Sequence, residues 1–167
     1  MQVPDYASFT RAIAAPGAEP SAAFDALCRL TQASVGAKLF TITLQDRATG
    51  GTTRAYSNMP DAYPVSGTKP ADVTDWSRQV LVEKRTFVAN DIEAIAAVFP
   101  DHALIKSLGC ESVINVPIVV RGEVLGTINC LHEAGFYTED RVQASEALKL
   151  PGALCLLFNE MHSRGGV

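Results

Sequence analysis

The chain lacks the marks of several function classes at once. Its four cysteines, Cys28, Cys110, Cys130 and Cys155, form no CxxC pair, so neither a zinc spacing nor a disulfide framework is signalled, and they read as reduced thiols in a core. His102 and His132 stand too far from other ligating residues for the three or four converging groups of a metal site, and no metal is expected. No Ser/His/Asp set, glycine-rich phosphate loop or closely spaced carboxylate pair is present, so nothing argues for catalysis. No apolar run approaches the roughly 20 residues that cross a bilayer. The start, MQVPDYASF, lacks the charged and apolar regions of a signal peptide, and a cytoplasmic protein free of the membrane is expected. Charged residues make up only 19%, with a net charge of −4 and no basic stripe, which argues against nucleic acid as a partner.

What is present is apolar: 47% of 167 residues, enough for one domain with its own core. Two Val- and Ile-rich runs, 112–120 and 123–132, meet across Arg121-Gly122 in the pattern of a β-hairpin at the centre of a sheet. If Val120 faces Glu123, a period of two puts Ile114, Val116 and Ile118 with Asn129, Thr127 and Leu125, and places Asn115 on the opposite face from Asn129. Both faces are apolar and both must be covered. Pro117, which cannot donate to a ladder, then faces Gly126, and a break in pairing or a bulge is expected there.

Ahead of that hairpin, Tyr6, Phe9 and Ile13 mark an amphipathic helix over 4–14, and Ser21 is the expected N-cap of a second one ending at Gly36. Strands follow over 38–46 and 52–57. The Pro- and Gly-bearing stretch 57–73 is long for a connection and is the first candidate for a lid. Asp72 or Thr74 starts a helix with Trp76, Val80 and Leu81 inward, 86–89 is a short strand, and two short helices fill 92–108. Thr138 caps a last helix expected to reach Met161, with a kink or break at Pro151. The order of elements is that of an α+β fold. It divides into an N-terminal helix and connection over 1–19, one domain over 20–161 and a tail over 162–167.

These residues resemble a GAF domain, a small-molecule sensory module related in shape to PAS domains. The resemblance spans roughly 20–160 and is carried by Ser112-Val-Ile-Asn-Val-Pro117, Gly122-Glu-Val-Leu-Gly126, and Phe136 followed by Asp140. It implies a central antiparallel sheet with the terminal helices on one face and a ligand cavity on the other, roofed by 57–73 and 92–108. It names no cofactor. The pair Asn-Lys of cyclic-nucleotide members is met by His132-Glu133 and their following Glu by Arg141, which speaks against a cyclic nucleotide. Residues 92–108 hold His102 but no Cys, which speaks against a bilin. The free methionine-(R)-sulfoxide reductase branch places acids where this chain has Val113 and Asn129, and Cys110 has no nearby resolving thiol.

Candidate ligand contacts follow from polar residues in apolar settings. Asn115, Thr127 and Asn129 interrupt the central strands and need partners, which a ligand, loops or ordered water can supply. Arg54, Tyr56 and Asn58 alternate along one side of the second strand, either as a clamp or as a solvated edge. Tyr63 and Trp76 sit near the long loop as stacking platforms or as anchors. The expectation is a stand-alone, non-enzymatic sensory module with a small-molecule ligand, and a homodimer through the terminal helices by way of Tyr6, Phe9 and Ile13 with the outer side of the last helix. A divergent sulfoxide reductase and a ligand-free interaction module are the alternatives.

Overall fold

A computed structural model describes residues 4–165; residues 1–3 and 166–167 of the expected terminal segments lie outside it. Six strands form one antiparallel sheet: β1 (Leu39–Gln45), β2 (Thr52–Ser57), β3 (Thr68–Lys69), β4 (Phe87–Ala89), β5 (Ser112–Val120) and β6 (Glu123–His132). They lie side by side in the order β3-β2-β1-β6-β5-β4, so the hairpin β5–β6 and strand β1 hold the middle. The helices are α1 (Tyr6–Ala14), α2 (Pro20–Ser34), α3 (Asp75–Ser77), α4 (Ile92–Ala96), α5 (His102–Ser107), α6 (Glu139–Ser145) and α7 (Lys149–Gly165). Among the described residues no helix is long and apolar enough to cross a membrane.

The hairpin turns at Arg121 and Gly122, both at positive φ (53° and 80°), as a right-twisted two-residue connection requires. Two rungs later the register differs from simple alternation. Ile118 pairs with Gly126 and Val119 with Val124, so Leu125 is an extra residue on β6. A bulge of this kind inverts every side chain beyond it relative to the partner strand. Asn115 therefore faces Asn129 across the ladder, and the two amides share a face that unbroken alternation denies them. Gly126, beside the bulge, lets β1 approach β6 closely: a Cβ there would stand 2.1 Å from the Thr43 carbonyl oxygen.

A second bulge changes the neighbouring hairpin. Ile42 pairs with Tyr56 but Thr43 with Arg54, leaving Ala55 unpaired, so Arg54 and Tyr56 point to opposite faces.

One face of the sheet packs on the terminal helices. Phe40, Ile42, Ile114, Val116, Ile118 and Ile128 meet Phe24, Leu27, Leu148, Cys155 and Leu156 in a continuous buried cluster. Each fully buried side chain of this size contributes about 1.5–3 kcal/mol of burial free energy. Pro20 at the first helical position, with Glu19 as N-cap, starts α2; Ser21 lies inside it. The break foreseen at Pro151 falls just ahead of it, in a 3₁₀ turn over Glu146–Leu148, so Pro151 enters α7 in its first turn, where no intrahelical donor is missing. Gly152 then lets α7 approach the sheet, since a Cβ would meet Ile118 Cδ1 and Ile128 Cδ1 at 2.8 Å. The helix continues to Gly165, past Met161. Phe9 is buried and Ile13 packs against the same cluster, so these two cover the domain, and of the three α1 residues expected at a dimer surface only Tyr6 is exposed.

Candidate functional site

The other face of the sheet floors a cavity of about 620 Å³, within the ~300–1,000 Å³ usual for small-molecule sites. Three rungs of paired residues set its chemistry. The first is apolar, with Leu39, Leu131 and Val113 side by side. The second is Thr41, Asn129 and Asn115, and the third joins Arg54, Thr43, Thr127 and Pro117. The roof comes from Tyr63, Trp76, Phe99, Asp101 and Ile105, and from a strap running from Gly67 to Thr74. That strap belongs to the long stretch 57–73 and is tied down by β3, where Thr52 pairs with Lys69 and Thr53 with Thr68. Residues 64–73 are otherwise exposed.

A chain of hydrogen bonds crosses the floor. Trp76 Nε1 donates to Asn115 Oδ1 at 2.9 Å, and Asn115 Nδ2 donates to Asn129 Oδ1 at 2.7 Å. Asn129 Nδ2 donates to Thr43 Oγ1 at 2.9 Å and Thr41 Oγ1 at 3.2 Å, and the hydroxyls of Thr43 and Thr127 lie 2.7 Å apart. The buried amide of Asn115 and the half-buried one of Asn129 thus satisfy one another, as polar groups inside a sheet must. Trp76 is held by this bond and by an edge-on contact with Phe99, and its helix is started by a capping box between Thr74 and Ser77.

Arg54 and Asp101 both contact Tyr63, the one over its ring and the other at its hydroxyl. The guanidinium carbon of Arg54 lies 4.8 Å from the centre of the Tyr63 ring, and its Nη1 donates to the Pro64 carbonyl at 3.1 Å. Tyr63 donates its hydroxyl to Asp101 Oδ2 at 2.7 Å. Burial, and then that bond, push the Tyr63 phenol well above its ordinary pKa, so it remains a neutral donor.

Of the eight residues singled out from the sequence, Arg54, Tyr63, Trp76, Asn115 and Asn129 line the cavity. Thr127 is buried beneath it, bonded to Thr43. Tyr56 is turned to the helix face by the Ala55 bulge, where it packs on Phe24 and Phe40 and donates to Asp25 Oδ1 at 2.7 Å. Asn58 continues the ladder beyond the end of β2, accepting from the Phe40 N–H at 2.7 Å and donating to the Lys38 carbonyl at 2.9 Å. Neither lines the cavity. Thr41, Thr43 and Asp101 were not foreseen. The alternation of hydroxyls with apolar residues in LFTITLQ was a readable signal for the first two; Asp101 carries none, since it reads as a helix cap.

The cysteines lie elsewhere. All four are free and buried, and none lines the cavity. Burial pushes the thiol of Cys28 up to about 11 and that of Cys155 up to about 12, and raises Cys110 and Cys130 as well. Such thiols are poor nucleophiles. Among the described residues no cluster of three or more His, Cys, Asp or Glu could hold a metal ion.

The residues around the end of β6 form a corner rather than a ligand site. His132 and Phe136 stack with ring centres 3.4 Å apart and 9° between planes, and Arg141 covers the other side of Phe136 at 3.8 Å while donating to the Val35 carbonyl. Gly36 leaves room for that ring, since a Cβ would stand 2.6 Å from it.

A sequence model of the GAF domain matches residues 18–148. The chain belongs to the GAF domain family. No curated protein sequence matches it. Among solved structures, the GAF domain of a two-component sensor histidine kinase from Bacillus halodurans aligns over 84% of this chain and 95% of its own, at 15% identity and a TM-score of 0.65. The GAF domain/HD domain protein from Geobacter sulfurreducens aligns over 92% of this chain and 100% of its own, at 15% identity and 0.69. The blue-light absorbing form of the Thermosynechococcus elongatus PixJ GAF domain aligns over 86% of each chain, at 16% identity and 0.60. At these identities the likeness is one of fold: a central antiparallel sheet with terminal helices on one face and a roofed cavity on the other is the arrangement of this GAF domain.

Proposed function

We propose that this GAF domain is a sensory or regulatory module that binds a small molecule between the sheet and the 57–73 and 92–108 segments. The observation that carries the reading is the floor of the cavity, where a continuous amide and hydroxyl chain runs beside an apolar rung. Such a surface offers both orientation and burial to a ligand. A ligand preferring the closed strap shifts the population toward it by its differential affinity. The output helix is close at hand: α7 seats Gly152 on Ile118 and Ile128, the opposite face of the two strands that carry Asn115 and Asn129. The fully buried Cys110 and the absence of any thiol from the cavity lining weigh against the sulfoxide reductase alternative.

The partner that fits the outer face of α7 is a second copy. Leu150, Leu154, Leu157 and Met161 are exposed there, Leu150 by 81% and Met161 by 71%. Their spacing of four, three and four residues reads the same in both directions, so a two-fold axis between Leu154 and Leu157 lays the stripe on itself. Light scattering at high micromolar concentration gives twice the monomer mass, and Leu154→Glu gives a folded monomer. A monomer for the parent protein overturns the dimer.

The binding reading is tested by thermal shift against nucleotides, amino acids and 2-oxoacids. A ligand at a hundred times its Kd adds about 2.7 kcal/mol, or roughly 5–10 °C for a domain of this size. An unchanged melting temperature throughout moves the assignment to an interaction module with an unused cavity.

A further inference from the structure

We infer that the cavity is coupled to the start of α7 by a second connection, running round the β4 edge of the sheet, in which the turn that follows Trp76 is an element with two states; this goes beyond the binding reading and holds whichever molecule fills the cavity. Helix α3 keeps α-geometry only over Asp75–Ser77 and then widens into a π turn over Arg78–Val82. The Glu83 N–H donates to the Arg78 carbonyl at 2.9 Å, five residues back, and the Arg85 N–H to the Gln79 carbonyl at 2.9 Å, six back. Lys84 between them sits at a φ of 58°, in the left-handed region that residues other than glycine rarely adopt. A π turn and a left-handed lysine are both less favourable than a plain α-helical turn, so something must hold them. Two side-chain bonds do so. Trp76 Nε1 donates to Asn115 Oδ1 at 2.9 Å on the cavity floor, and Gln79 Nε2 donates to the Thr86 carbonyl at 2.9 Å, just ahead of β4.

Thr86 carries the connection onward. Its hydroxyl donates to Glu146 Oε1 at 3.1 Å, and Glu146, also paired with Lys149, is the first residue of the 3₁₀ turn from which α7 starts. The cavity floor and the first turn of α7 are thereby joined through side chains outside the sheet's own ladder. An α-helical turn holds one residue fewer than a π turn, so relaxation of the wide turn rotates Trp76 by about 100° relative to the residues after it. The bonds of Trp76 to Asn115 and of Gln79 to Thr86 are met together only in the wide form. A molecule that takes Asn115 Oδ1 for its own donor removes the Trp76 bond, tips the turn toward α-geometry and draws Gln79 from Thr86, which leaves Thr86 and Glu146 free to part. Linkage makes the effect reciprocal, so that loosening Glu146 loosens Trp76.

The test needs no ligand. Trp76→Phe keeps an aromatic ring against Phe99 and loses the donor, and native-state amide exchange by NMR reads the consequence. The inference expects exchange at Arg85 and across residues 146–150 to rise about fivefold, the worth of one net hydrogen bond, and the rise at 146–150 to vanish when Thr86→Val has already cut the bond to Glu146. Tyr63→Phe, which breaks the other roof bond, to Asp101, leaves 146–150 unchanged. From the far end, Thr86→Val and Glu146→Ala each shift the emission of Trp76, the chain's one tryptophan. Unchanged exchange at 146–150 in Trp76→Phe overturns the inference, and so does a rise of equal size with or without the Thr86 hydroxyl, or one shared by Tyr63→Phe, which marks general loosening. Emission unmoved in both far-end variants overturns it as well, and that arm stands should Trp76→Phe fail to fold. None of these outcomes touches the cavity as a ligand site, which melting and mass measurements decide separately.

Discussion

Asn129→Ala separates the bulged hairpin from the unbroken one. In the bulged register the Asn129 side chain accepts from Asn115 at 2.7 Å and donates to Thr43 at 2.9 Å and to Thr41 at 3.2 Å. At about 1 kcal/mol net per bond, and less for the long one, truncation costs roughly 2–3 kcal/mol. The space left opens toward the cavity, so water can reach Asn115 Nδ2 and hold the loss to that range rather than adding a full orphan penalty. For a domain of this size the melting temperature falls by about 5–10 °C. Asn115→Ala removes the shared bond and the one from Trp76, at about 2 kcal/mol. Urea unfolding of both single variants and the double variant closes the cycle. Because one bond is common to both, the double variant is less destabilised than the sum by about 1 kcal/mol. A coupling near zero refutes the reasoning, since it is the value for two asparagines on opposite faces of a sheet.

Gly126→Ala is expected to lose about 3 kcal/mol or the fold itself, because the nearest atom to the new Cβ is backbone, the Thr43 carbonyl oxygen; a urea midpoint within experimental error of the parent contradicts this. Burial holds His132 below its ordinary value of 6.5, with Lys38 and Arg141 acting the same way and Glu133 opposing. The unfolded chain therefore takes up that proton first as pH falls, so stability is lost from about pH 6.5 downward and levels once the folded pKa is passed. His132→Phe, which keeps the stack on Phe136, flattens that part of the stability curve; an unchanged slope sinks the assignment. The four buried thiols are expected to resist a disulfide reagent at pH 8 in the native protein and to react together on adding guanidinium, whereas rapid labelling of one of them contradicts their burial.

The α+β architecture was legible because its signals are long and local. The central hairpin shows two β-branched runs and a turn that demands positive φ, and α2 and α7 show sustained apolar faces. The contents of the site were less so, and both misplacements have the same origin. Leu125 and Ala55 are single extra residues, and each inverts the faces beyond it, which put Asn115 and Asn129 apart and Arg54 and Tyr56 together when simple alternation was applied. Pro117, expected opposite Gly126 but paired with Thr127, did announce a disturbance in β5–β6, but neither its place nor its direction. The hairpin holding Ala55 announced nothing. Asn58 looked like a ligand contact because an amide that caps a strand's ladder and one that faces a cavity are the same residue in sequence. Phe136 and its neighbours, which carried much of the family resemblance, brace the join of β6, α2 and α6 rather than touch the cavity.

The central claim is that the cavity above Asn115 and Asn129 holds a small molecule. Native mass spectrometry of the protein as purified, set against its denatured mass, tests it most directly. The account predicts an excess mass that is released on denaturation and is reduced or absent in Asn129→Ala. A bare native mass, together with an unchanged melting temperature across nucleotides, amino acids and 2-oxoacids, would contradict it.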